Sequence, residues 1–316
     1  MAFDPPGSTS TVPSAVTAAG VVLGSYVDSS GAQHGFLRNA DGTFTTFDPP
    51  GSTFTTATAI NPEGTATGAY SDSTGVTHGF LRTRSGAFTS FDPGGGGIFN
   101  SIYLFGGAPP SINPSGAIAG TYPFEHGFLR EPNGTLTTID VPGASFTEVI
   151  AINPAGTITG DFGDPTAGTD GFLRTPDGTF IKINIPAGVN GIFPLCINPA
   201  GAIAGAYFDA NVVSHGFVRS PDGTITTFDA PGSAFIQIYA INPAGTITGY
   251  YDGFHGFVRA PDGAFTTFDV PGSTGTIPQA INPLGTVTGS FFDAAGVIHG
   301  FLFFPAQRDE VSSAKP

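Results

Sequence analysis

Basic residues are scarce in this chain. Ten Lys and Arg stand against 24 Asp and Glu, for a net charge of -14. Phosphate backbones and anionic surfaces are bound through clustered Lys and Arg, so nucleic acid, anionic polysaccharides and anionic membranes are disfavoured as partners. Charge of either sign is low, 11% of residues, which leaves Thr, Ser, Asn and backbone to cover the surface. Cys196 is the only cysteine, so no intramolecular disulfide can form and the redox compartment stays open. It stands where related segments carry Ala or Ser, and is expected to be a small buried residue. No run of about 18 apolar residues occurs, so no membrane insertion is expected. No leader-peptide pattern is read in these residues. The chain opens directly on a recurring motif, as if trimmed, so this does not assign a compartment. A Gly-x-Ser-x-Gly elbow is absent, which removes support for serine-nucleophile chemistry. Gly94–Gly97 has neither a following Lys nor a following helix, and reads as a flexible loop rather than a phosphate cradle.

What is present is one unit written seven times. His-Gly-Phe or its Asp variant begins at His34, His78, His126, Asp170, His215, His255 and His299, at intervals of 44, 48, 44, 45, 40 and 44 residues. Phe-Asp-Pro-Pro-Gly from Phe3 recurs as relatives from Phe47, Phe91, Ile139, Ile183, Phe228 and Phe268. Ile-Asn-Pro-x-Gly starts at Ile60, Ile112, Ile152, Ile197, Ile241 and Ile281, with a decayed form at Val16–Gly20. Gly 47 and Pro 28 make up nearly a quarter of the chain, but their periodic placement marks turns. Segments such as 43–47, Thr-Phe-Thr-Thr-Phe, alternate with period two, and nothing keeps helical spacing. In the second unit the predicted strands are 55–61, 65–71, 77–83 and 87–92.

A period in the mid-forties with four short strands per unit spells the blade of a β-propeller. The expected fold is therefore all-β: a seven-bladed β-propeller with four antiparallel strands per blade. The chain opens on what ends a fourth strand and closes on a third, so the N-terminal segment is expected to complete the last blade and close the ring. Residues 1–306 are assigned to this single propeller and 307–316 to a disordered polar tail. Such a ring is expected to be a monomer.

His-Gly-Phe-Leu-Arg, Asp-Gly-x-Phe and Ile-Asn-Pro-x-Gly resemble the bacterial extracellular repeat with a His-Ala-Phe signature (HAF repeats), with Gly in the middle position here. The resemblance runs from Phe3 to Phe304. It implies a propeller exported to the extracellular space or cell surface, and carries no shared catalytic residues.

All six histidines are the repeat His. Equivalent atoms of neighbouring blades are expected roughly 10 Å apart, while zinc needs its ligands at about 2.0–2.1 Å. No metal site is therefore expected. Each His is instead read as a brace for its own blade, near an Asp six residues earlier (Asp28/His34, Asp72/His78, Asp209/His215, Asp293/His299), in a way that resembles WD-repeat blades. Asp4, Asp48, Asp92, Asp140, Asp229 and Asp269 suit Asx-turns, and the Asp28-to-Gly31 type of loop lacks calcium-ligand spacing.

Residues that depart from the repeat are those the scaffold did not require. Blade four collects three acids. Glu148 stands where other units carry Val12, Thr56, Ala108, Phe193, Gln237 and Ile277. Asp161 stands where they carry Ser25, Ala69, Thr121, Ala206, Tyr250 and Ser290, and Asp170 replaces the His. Gln237, Tyr239 and Tyr250 distinguish blade six, and Gln279 blade seven. The enlarged Gly94–Gly107 loop, with Tyr103, suggests a flap. Loops entering the first strands and loops between second and third strands open on one face, whose mouth is the default ligand site.

The favoured reading is a secreted binding module taking a neutral carbohydrate or small molecule at the mouth of the channel through Tyr103, Gln237, Tyr239, Tyr250 and Gln279, with no cofactor. The alternative is a glycoside hydrolase, or another carbohydrate-active hydrolase or lyase, with Glu148, Asp161 and Asp170 as catalytic carboxylates. Carboxyl separations of about 5–5.5 Å would imply retention and about 6.5–9.5 Å inversion. Whether the chain is an enzyme at all is left open by the sequence.

Overall fold

The first of the three recurring motifs explains the core. A computed structural model describes residues 1–95, 110–122, 126–164, 168–185 and 189–305. The Phe of each His-Gly-Phe, namely Phe36, Phe80, Phe128, Phe172, Phe217, Phe257 and Phe301, is at most 1% exposed. Burying each such ring is worth about 1.5–3 kcal/mol. The preceding glycine is needed because a neighbouring ring fills its place: a Cβ on Gly35 would collide with Phe47. The apolar clusters span pairs of blades, as where Leu23 and Phe47 of blade one meet Ala57, Tyr70 and Phe80 of blade two.

Seven four-stranded antiparallel blades surround a central channel, as the sequence predicts. In blade two the strands are Ser52–Ile60, Ala66–Asp72, Thr77–Arg82 and Phe88–Phe91, within a few residues of expectation. First strands of successive blades contact one another around the ring and line the channel. Blades one and two are further joined by one parallel bridge, Gln33 to Phe54. The ring closes as expected. Ala2–Phe3 pairs with Ile298–Phe303 and becomes the outer strand of blade seven. The expected tail at 307–316 lies outside the described residues, as do most of the 94–107 loop, Tyr103 and Ala108.

The Asn of Ile-Asn-Pro-x-Gly has a role that its turn motif conceals. Its Oδ1 accepts the amide four residues on, as Asn61 does from Thr65 at 2.9 Å. Its Nδ2 donates to the next blade's equivalent carbonyl: Asn61 to Asn113 at 3.4 Å, Asn113 to Asn153 at 3.3 Å, Asn198 to Asn242 at 3.3 Å, and Asn242 to Asn282 at 3.3 Å. Asn282 donates to Thr17 at 3.0 Å, across the closure. These amides, all 2–3% exposed, form a belt at one end of the channel. The other end is free to vary.

Candidate functional site

In four blades the repeat His, namely His34, His78, His215 and His299, is held between two carboxylates, and in blades three and six His126 and His255 each meet one. In blade one, His34 Nδ1 lies 2.7 Å from Asp48 and Nε2 lies 3.4 Å from Asp28. The ring also packs on Tyr26, 5.2 Å between centroids. The tighter partner is thus not the Asp six residues earlier but the one from the Phe-Asp-Pro motif. The same holds for His78–Asp92 and His215–Asp229 at 2.7 Å, His126–Asp140 and His255–Asp269 at 2.9 Å, and His299–Asp4 at 2.7 Å. Chain folding, not sequence spacing, brings these pairs together. Burial works against a charged imidazole, yet the paired carboxylates outweigh it and raise the pKa of His34, His78 and His299. Asp28 Oδ1 accepts the amides of Ser30 at 2.7 Å and Ala32 at 3.0 Å, so its loop is a turn folded by its own carboxylate.

Blade four rebuilds this site from different residues. Asp170 replaces the His, Asn184 the distal Asp, Phe162 the Tyr, and Lys182 the outer-strand Thr or Ser. Lys182 Nζ now bridges two acids, Asp170 at 2.6 Å and Asp164 at 3.3 Å, and lies over the Phe162 ring. The Asp170 hydrogen bond and charge raise the Lys182 pKa. Asp170 stands opposite Phe162 in the sheet, whereas Asp161 stands opposite Gly171. Adjacent strand positions point to opposite faces. The structure therefore separates Asp170 from the other two acids.

Glu148 and Asp161 are brought together. They are directly opposed partners on the first two strands of blade four, Thr147–Ile152 and Ile158–Asp164. Directly opposed Cβ atoms lie about 4.5–5.5 Å apart. Gly160 permits this closeness, since a Cβ there would collide with the carbonyl oxygen of Glu148. Glu148 is half-buried and Asp161 only 3% exposed. Burial, reinforced by the neighbouring Glu148 charge, pushes the Asp161 pKa well above the usual carboxylate range. Equivalent positions in blades one and three show what is missing. Ser25 Oγ accepts the Ala57 amide at 2.9 Å and Thr121 Oγ1 accepts the Val149 amide at 2.8 Å, each from the next blade. In blade five that amide position is Pro194, which has no N–H. Among the described residues no donor reaches Asp161.

Blade six presents aromatic rings to the same end of the channel. Gln237 and Tyr250 are opposed partners, like Glu148 and Asp161. Tyr239 sits at the bulge of the first strand, and Gln279 at the matching bulge of blade seven. The Tyr250 ring lies 6.1 Å from Tyr239, 5.9 Å from Phe235 and 5.1 Å from Phe254, and Phe254 continues to Phe292 at 6.1 Å. Tyr239 is 39% exposed, Phe235 36% and Phe254 43%. Burial, with Tyr250 beside it, pushes the Tyr239 hydroxyl up to about 12. Gln237 Nε2 donates to the carbonyl of Ile238 at 3.2 Å. Gln279 Oε1 is buried and has no donor among the described residues. Phe235 and Phe254 were not singled out from sequence; the 40-residue interval, shortest of the six, was the available signal. Among the described residues no three His, Cys, Asp or Glu gather as a metal-binding set.

No protein-family model matches the chain, and no curated protein does. Solved structures do. A streptogramin B lyase is 14% identical over 96% of this chain and 97% of its own, with a TM-score of 0.63. A catalytically inactive His-to-Ala virginiamycin B lyase from Staphylococcus aureus, with quinupristin, gives 13%, 96%, 98% and 0.61. YCF48 bound to D1 peptide gives 10%, 96%, 95% and 0.55. At these identities the likeness establishes the seven-bladed β-propeller fold alone.

Proposed function

We propose that the chain is an exported binding propeller whose ligand, a neutral carbohydrate or small molecule, sits at the channel mouth opposite the Asn belt. The observation that carries this is the meeting of two departures from the repeat at one end of the ring: the Glu148–Asp161 pair and the blade-six aromatics. Export rests on the HAF-like motifs. The similar structures include lyases and a peptide-bound propeller, so this scaffold hosts both binding and chemistry. The test is a thermal-shift screen with neutral oligosaccharides, sugar acids and divalent metals on wild type and Glu148→Gln. Ligand at a hundred times its dissociation constant adds about 2.7 kcal/mol. A shift that the variant lacks supports the reading; no shift with any class removes it.

A second reading has its own support. An acid whose pKa is raised by burial beside a second carboxylate is the arrangement glycoside hydrolysis uses, with Asp161 as acid and Glu148 as nucleophile or base. Directly opposed strand positions suit the shorter, retaining separation. Release of reducing sugar from a bound oligosaccharide, lost in both Asp161→Asn and Glu148→Gln, is the outcome it requires.

A further inference from the structure

The turn between the second and third strands of blade six, Ile247–Tyr251 and His255–Arg259, is much shorter than that of blade one. Blade one spends seven residues between Tyr26 and His34, folded by the carboxylate of Asp28. Blade six spends only Asp252-Gly253-Phe254 between Tyr251 and His255. Gly253 and Phe254 both take positive φ, 67° and 66°. Such tight turns favour Gly or Asn at these places, and a bulky side chain there is a true outlier. The strain is held from two sides. Asp252 accepts the amides of Ala234 at 3.2 Å and Phe235 at 3.1 Å, and the Phe254 carbonyl accepts the Thr276 amide at 2.6 Å. These bonds hold Phe235 and Phe254 against Tyr250 and leave both rings exposed. A residue kept where its backbone is disfavoured points to use of its side chain.

We propose that this shelf, Phe235, Tyr250 and Phe254, stacks on the apolar face of a neutral pyranose ring whose hydroxyls are read by Gln279 and Tyr239. The inference rests on the binding reading above and assigns its ligand class. A sugar ring offers an apolar C–H face and a rim of donors and acceptors; the site offers aromatic faces, with Tyr239 against Tyr250 and Gln279 at the matching bulge one blade on. Gln279 Oε1 is a buried acceptor that lacks a donor among the described residues, and a sugar hydroxyl supplies one. The described Lys and Arg other than Arg84 are engaged elsewhere, Arg219 on the Ser220 carbonyl at 3.3 Å, which disfavours an anionic sugar. Arg38, Arg82, Arg130 and Arg259 lie over Phe rings of the preceding blade, Arg174 over Phe180, and Lys182 on Asp170 and Asp164.

Titration of the purified chain with soluble gluco-, manno- and galacto-oligosaccharides, and with alkylammonium ions as a cationic probe, tests it. Phe254→Gly suits the turn better than Phe, so it is expected to melt no lower than wild type while binding the oligosaccharide about tenfold more weakly or worse. Phe254→Asn, also tolerant of this backbone, guards against an idiosyncratic variant. Gln279→Ala is expected to weaken binding without moving the melting temperature. If a neutral sugar binds and all three variants match wild type while Glu148→Gln fails, the shelf is wrong and the binding reading stands. Binding of the alkylammonium alone overturns the ligand class. Binding of neither probe overturns both readings.

Discussion

Blade four departs from the repeat twice, and the two departures differ in kind. At its outer edge four substitutions answer one another: losing His and Asp is matched by gaining Lys182, which reaches Asp170 and Asp164 as His34 reaches Asp48 and Asp28. At its inner edge Glu148 and Asp161 place two acids face to face, and the next blade offers Pro194 where a donor would help. A repeat position can thus change because its neighbours changed with it, or because something outside the scaffold requires it. Only the second kind marks a site. Counting unusual residues does not tell them apart; asking what each one faces does.

The contrast can be broken at several points. The largest effect is expected at the outer edge where the ring closes. Phe3 is buried beneath Arg38, and Asp4 holds His299. Phe3→Ala should cost about 3–5 kcal/mol, and deleting residues 1–8 should lower the melting temperature further. A truncated chain that melts like wild type would overturn closure. Next, Lys182→Ala should destabilise by about 1–3 kcal/mol, discounted from a fully buried pair because the Lys is partly exposed. Asp170→His alone should also destabilise, whereas the fourfold return to the repeat (Phe162→Tyr, Asp170→His, Lys182→Thr, Asn184→Asp) should recover wild-type stability. Failure of the fourfold variant would show that the outer substitutions do not form a set.

At the inner edge the sign reverses. Because the folded pKa of Asp161 is raised, its contribution is fully present below about 3.8 and is lost as pH rises through the folded value. Asp161→Asn should therefore be more stable than wild type in urea unfolding at pH 7, and the advantage should vanish near pH 3. A destabilised Asp161→Asn would mean that the carboxylate has a structural partner. Glu148→Gln should fold normally and bring the Asp161 titration down. The smallest effect belongs to the braces. His34, His78 and His299 have raised pKa values, so their stabilisation is full below about 6.5 and lost as pH climbs through the folded values. Each should contribute about 0.2–1 kcal/mol, read as a modest fall in stability between pH 6 and 9.

The sequence alone determined the blade count, the four-strand unit, the turns and the closure. Each depends on local periodicity or on where a motif is cut by the chain ends, and a repeat prints these in order. It also exposed Glu148, Asp161, Gln237 and Tyr250 as departures, because seven copies supply their own baseline. It grouped Asp170 with the wrong acids, since the face a residue takes depends on strand register and a one-residue offset reverses it. It paired four of the His with the Asp six residues earlier, contacts the structure keeps at 3.4–3.8 Å, while folding brings a closer Asp, fourteen residues later or 295 earlier for His299, to 2.7–2.9 Å. The Asn belt, Lys182 as a substitute brace, the strained Phe254 and the donorless setting of Asp161 were decided by the tertiary structure alone. Each is a relation between blades or between strands, and such relations arise only when the ring has closed.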